Sequence, residues 1–158
     1  MSPSLRPLIA AGTLLGAGMG GFLDGIVFHQ LLQFHNMLSA KYPPNSVVNL
    51  EVNMFWDGLF HLFTWLMTAA GIFMLWRATA PPTADRSTRG LLGSLAFGWG
   101  LFNLIEGFVN HHLLELHHVR EVDNHQLWDL AFLAFGAVMA LVGMALLRAA
   151  VVEHGPAN

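Results

Sequence analysis

Cysteine is absent from this chain of 158 residues. That excludes disulfides and thiolate metal sites, and leaves histidine and carboxylate as the main metal-binding groups. Charge is scarce as well. Only 11% of residues are charged, against roughly 25% in a soluble domain. A surface so poor in charge cannot face water on all sides, so a lipid bilayer is the natural solvent. The formal net charge is -3 and no basic stripe occurs, which argues against nucleic acid as a partner. No glycine-rich phosphate loop and no Ser/His/Asp order is present. What the chain has in abundance is apolar residues, at 54%, and, against that background, nine histidines.

Four apolar runs are long enough to span, since a helix needs about 20 residues to cross roughly 30 Å of hydrocarbon. They run over about Leu8–Phe34, Met54–Trp76, Gly90–Leu116 and Leu127–Leu147. The runs are continuous rather than alternating, which predicts helices and not strands. Pro43-Pro44 and Pro81-Pro82 break the first two connections, and Val151 to Asn158 reads as a frayed tail. Met1 to Arg6 is similar to the start of a signal peptide. The helix that follows carries half of the duplicated pattern described next, so the segment reads as retained.

The same unusual segment occurs twice. Asp24-Gly25-Ile26-Val27-Phe28-His29, continuing to His35, returns as Glu106-Gly107-Phe108-Val109-Asn110-His111, continuing to His117. Trp56-Asp57 and Trp128-Asp129 follow the respective copies. The expected fold is therefore all-α: an integral membrane four-helix bundle, residues 1–158 as one domain, made of two tandem two-helix repeats at about 8–77 and 90–148. Arg6, Arg77, Arg86, Arg89 and Arg148 fall on one side of such a chain, Lys41 and Arg120 on the other. The positive-inside rule then puts both termini in the cytoplasm of a cell whose inner (plasma) membrane holds the protein. Both repeats enter the membrane in the same sense, as parallel transporter repeats do. Gly12, Gly16 and Gly20 share one helix face, a pattern that lets helices pack closely in lipid and offers a surface to a second copy.

Acids and histidines inside a membrane are expensive, and mark function by default. All of them lie in the outward half of the spans. Leu8 to Leu23, Gly90 to Ile105 and Leu130 to Leu147 carry no charge. With α-helical geometry, His29, His61, His111, Asp57 and Asp129 share one layer, with Asp24 and Glu106 about 7 Å deeper. His111, Glu115 and His118 form a stripe on one helix. Glu106 and His117 are about 16 Å apart along the axis and cannot share an ion unless the helix breaks between them. His125, Glu115, His35, His117 and His118 are expected at the rim or in the headgroup region. Imidazole and carboxylate converging without thiolate suits copper(II), iron or zinc, as one ion or two, and four-helix bundles build such sites from facing helices.

Each residue also has a plainer role open to it. Asp57 and Asp129 fit as partners that orient imidazoles or as helix-start charges. Trp56 and Trp128 fit an interfacial belt, and Met37 and Met54 fit gap-filling more than copper(I) ligation. Two other functions compete with metal binding. One is a proton-coupled transporter or channel with a His/Asp/Glu relay, against which stand the charge-free inner halves. The other is a bis-histidine haem protein using His29 and His111.

Gly21 to His35, with its Asp-Gly-Ile-x-x-His-Gln-x-Leu-Gln-x-His core, Phe55 to His61, and Glu106 to His118 together resemble a family of small bacterial membrane proteins whose domain has no assigned function. The resemblance covers nearly the whole chain. It implies four membrane helices and supplies no mechanism.

Overall fold

The computed structural model describes residues 5–154, and all regular structure among them is helical. Helix α1 spans Arg6–Asp24 and runs directly into a π-helix, π1, over Gly25–Leu31. Helix α2 spans Val47–Thr79. Helix α3, Thr88–Glu106, runs into π2, Gly107–Leu113, and α4 covers His125–His154. Four stretches built from these elements are long and apolar enough to cross a membrane.

The boundaries differ from expectation in ways that matter for the site. Ser46, whose hydroxyl accepts the Asn49 N–H, starts α2 well before Met54. Asp57 thus lies several turns inside α2, and no acid sits in the first turn of α4. The helix-start role for Asp57 and Asp129 is set aside accordingly. At the other end, α4 continues through Val151 to His154, and Glu153 pairs with Arg89 of α3. The frayed tail is therefore shorter than expected. Residues 1–4, most of the segment similar to a signal peptide, lie outside the described residues, as do 155–158.

The helices pack as a row in the order α2, α1, α3, α4, with α1 and α3 in the middle. The middle pair meets along small residues. A Cβ on Gly16 would run into the Leu95 carbonyl, and one on Gly98 into the Thr13 carbonyl. Gly12 faces Ser94 and Gly20 faces Trp99 across the same seam. The glycine face expected to receive a second copy is therefore filled by α3 of the same chain. The flanking helices lean on one stripe each: Asn53, Asp57, Thr64 and Gly71 are the buried positions of α2, and Asp129, Gly136 and Gly143 line the matching face of α4. Their other faces present Leu62, Phe63, Trp65 and Phe73, or Leu130, Phe135, Val138 and Leu141, to the lipid. Lipid-facing apolar residues and backbone bonds closed within each helix meet the demands of a bilayer.

Candidate metal centre

The two π-helices create the site. Asp24 and His29 are five residues apart, as are Glu106 and His111. In an α-helix, residues five apart diverge by about 140° around the axis. The wider π turn, with its i→i+5 bonding, brings them nearly into line. His29 Nε2 lies 3.4 Å from Asp24 Oδ2, and His111 Nε2 lies 3.3 Å from Glu106 Oε1. Each π-helix then stops at a residue in the left-handed region, Gln33 at φ 49° and Glu115 at φ 48°. A non-glycine residue there is uncommon. The matched pair turns both chains back inward.

This reversal changes the role of several residues. Glu115 is exposed, so the expected stripe of His111, Glu115 and His118 does not form. His35 and His117, expected near the headgroups, are buried at 4% and 0% exposure. The chain does break between Glu106 and His117, and the two side chains meet at 3.0 Å. The returning segments also grip each other crosswise. The His35 Nδ1–H donates to the Val119 carbonyl at 2.8 Å, and the His117 Nδ1–H to the Met37 carbonyl at 3.0 Å. The Glu121 N–H donates to the Phe34 carbonyl, and the Ala40 N–H to the Leu116 carbonyl.

Four imidazoles thus crowd one layer. The His35 and His117 rings stack at 4.5 Å. His29 stands edge-on to His35 at 4.4 Å, and His111 edge-on to His117 at 4.9 Å. Asp57 and Asp129 brace the layer from α2 and α4. Asp57 accepts from His29 Nδ1 (2.9 Å), the Met37 N–H (2.7 Å) and Asn36 Nδ2 (2.9 Å). Asp129 accepts from the Val119 N–H (2.9 Å) and His118 Nδ1 (2.8 Å), and lies 3.4 Å from His111 Nδ1. These contacts orient rings and loops; the two aspartates stand behind the histidines rather than among the inward-facing donors.

The inward-facing atoms are left without partners. His29 Nε2, His35 Nε2, His111 Nε2, Asp24 Oδ2 and Glu106 Oε2 are buried and make no hydrogen bond, and on the Asp129 side neither does His111 Nδ1. The acid–histidine contacts of Asp24 with His29 and of Glu106 with His111 are close enough for ion pairing but not aligned as hydrogen bonds. Burial, reinforced by His117 and His29, holds the His35 imidazole well below its usual range. It is therefore neutral, with its proton on Nδ1 and a bare lone pair at Nε2. The His117 Nδ1–H donates to the Met37 carbonyl, and its Nε2 lies 3.0 Å from Glu106 Oε1. Two groups of three donors each lie within 4.8 Å of one another, His29 with His35 and His117, and Glu106 with His111 and His117.

Other expected ligands sit elsewhere. His61 is half-buried, donates from Nδ1 to the Asp57 carbonyl of its own helix (2.7 Å), and joins none of the converging groups among the described residues. A Cβ on Gly25 would come within 2.7 Å of His61 Nε2, so Gly25 makes room for α2, and Gly107 likewise for Leu133 and Phe132 of α4. Each glycine thus faces a flanking helix. His118 and His125 form a separate group with Asp129. Trp128 packs on Phe34 with Arg120 stacked over both, whereas Trp56 is 44% exposed. Met54 is exposed, and Met37 contributes its backbone carbonyl. The equal acid-to-His and His-to-His spacings in both copies were the visible signal for His35 and His117, since neither fits a 3.6-residue period.

The chain belongs to the family DUF2243, described as predicted membrane proteins, which it matches over residues 11–150. No curated protein and no solved structure matches it.

Proposed function

We propose, on the premise that this is a DUF2243 membrane protein, that it holds a transition metal in the layer formed by His29, His35, His111, His117, Asp24 and Glu106. Asp57 and Asp129 act from behind, fixing tautomers and ring angles as carboxylates do for metal-bound imidazoles. The observation that supports this reading is a buried convergence: two groups of three donors within 4.8 Å of one another, among nitrogens and carboxylate oxygens of His29, His35, His111, Asp24 and Glu106 that make no hydrogen bond. Protons on all of these nitrogens would gather imidazolium rings 4.4–4.9 Å apart in a buried layer. One or two ions of copper, iron or zinc satisfy the same atoms together.

The rival functions fit less well. A relay needs ionisable groups through the inner half, where Leu8 to Leu23 and Gly90 to Ile105 carry none and α1 and α3 are sealed by glycine packing. A haem between His29 and His111 would need the space that the stacked His35 and His117 rings occupy. With so many protein ligands, little of the coordination sphere is open to a substrate. That favours redox chemistry or handling of a metal for an exported partner over hydrolysis. We further infer that the two hairpins are copies of one unit and that the layer opens outward, with both termini cytoplasmic, from the five-to-two distribution of basic residues.

Elemental analysis of detergent-purified protein tests the reading. At least one transition metal per chain is expected. The His29→Ala, His111→Ala variant should lose most of it while keeping its helical circular dichroism and elution volume. Unchanged metal content in that variant would overturn the assignment.

A further inference from the structure

The second hairpin carries a cluster that the first does not. His118 Nδ1 lies 2.8 Å and His125 Nδ1 3.5 Å from the same Asp129 oxygen, Oδ2, and the two rings stack at 3.8 Å. One donor atom from each of the three residues lies within 4.8 Å of the others. Ligands on one zinc ion at about 2.0–2.1 Å stand no more than about 4 Å apart, so a small side-chain movement closes the set. The histidine side chains are 16% and 33% exposed, which leaves them free to move and reachable from water. Among the described residues, no protein group hydrogen-bonds their Nε2 atoms.

The equivalent place in the first hairpin is built differently. Asn36 and Asn53 stand where the second hairpin has His118 and His125, and both amides are committed to structure. Asn36 Nδ2 donates to Asp57 Oδ2. Asn53 accepts the Leu38 N–H and donates to the Tyr42 and Asn49 carbonyls. The loop is held in place by amides there. Histidine is not required for that task, and at His118 and His125 it leaves metal-binding nitrogens at the surface.

We propose that His118, His125 and Asp129 form a second metal site, separate from the buried layer, that takes a divalent transition metal ion reversibly from the outer side. Three protein ligands leave a coordination position for water, the arrangement of an exchangeable site. Asp129 links it to the interior: Oδ2 faces the rim, and Oδ1 lies 3.4 Å from His111 Nδ1. The site does not depend on the buried layer being a metal centre.

Calorimetric titration with zinc(II), after dialysis to remove weakly held ions, tests it. Wild-type protein should bind one equivalent beyond its tightly held metal. The His118→Asn, His125→Asn variant copies the first hairpin's residues, and should lose that equivalent with its tightly held metal unchanged. Persistence of the extra equivalent in this variant would overturn the proposal. If the double variant fails to fold, His125→Asn alone decides. The side-chain contacts of His125 among the described residues are the long one to Asp129 and the stacking on His118, and the zinc affinity of this variant should fall at least tenfold; unaltered affinity would count equally against the site. Failure of the buried centre shows instead as missing tightly held metal, with the zinc equivalent still present.

Discussion

The two hairpins agree in depth and differ at the rim. In the membrane interior their contacts match almost atom for atom: Gly16 against Leu95 and Gly98 against Thr13, Asp24 against His29 and Glu106 against His111, His35 to Val119 and His117 to Met37. In the loops beyond the layer the matches fail. Asparagines stand opposite histidines, and Ser39 opposite Glu121, which accepts the Ser39 hydroxyl at 2.7 Å. The layer itself also differs: His29 Nδ1 hydrogen-bonds Asp57 at 2.9 Å, whereas His111 Nδ1 stands 3.4 Å from Asp129. Glu106 is long enough to reach His117, whereas the shorter Asp24 has no such contact with His35. Buried positions are constrained by packing and by the cost of unpaired polar groups. His118 and His125 are partly exposed and so less constrained, whereas Asn53 and Ser39 in the first hairpin are buried and hydrogen-bonded.

The equivalence of the hairpins breaks most directly on topology. If both enter the membrane in the same sense, single-cysteine variants Asn45→Cys and Asp123→Cys should both react with an impermeant thiol reagent added outside intact cells, and Ala84→Cys should not. Labelling of one outer loop without the other would end the comparison. Labelling at 84 alone would invert the orientation.

The central seam sharpens the comparison next. Gly16→Val and Gly98→Val each drive a side chain into the backbone of the opposite helix, and overpacking of this kind typically costs about 1–3 kcal/mol. Both should lower the detergent melting temperature by similar amounts. Gly58, with nothing within 4 Å of its would-be Cβ, is the control. Gly58→Ala should be neutral or stabilising by up to about 1 kcal/mol, from helix propensity alone. A large difference between the Gly16 and Gly98 variants would mean that the two halves of the seam are not equivalent.

A finer test uses the bracing carboxylates. Asp57→Asn should weaken retention of the buried metal about 10–100-fold, the usual effect of removing a carboxylate behind a metal-bound imidazole. Asp129→Asn should do the same and also abolish the rim zinc equivalent. Competition with a chelator of known affinity reads the first effect and zinc titration the second. Equal behaviour of the two variants in both measurements would remove the distinction drawn between the hairpins.

Much of this molecule was readable from residue order alone. Spanning length and missing charge determined a four-helix membrane fold, because lipid admits little else. Duplication of acid, glycine and histidine singled out Asp24, His29, Glu106 and His111. Asp57 and Asp129 were marked by the repeated Trp-Asp pairs. The placement of His35 and His117 was not readable, because α-helical periodicity carried both past the membrane edge. Two π-turns and two left-handed residues, Gln33 and Glu115, fold them back, and each return is held by a carbonyl of the opposite hairpin. That contact is between segments far apart in sequence, so no local propensity encodes it. His61 shows the converse: its spacing from Asp57 suited a shared ligand pair, yet its Nδ1 is bonded to its own helix's backbone. Composition and repetition thus decided which residues are costly enough to matter. Only the tertiary packing decided which of their polar atoms meet, since that depends on backbone breaks held by contacts between the two hairpins.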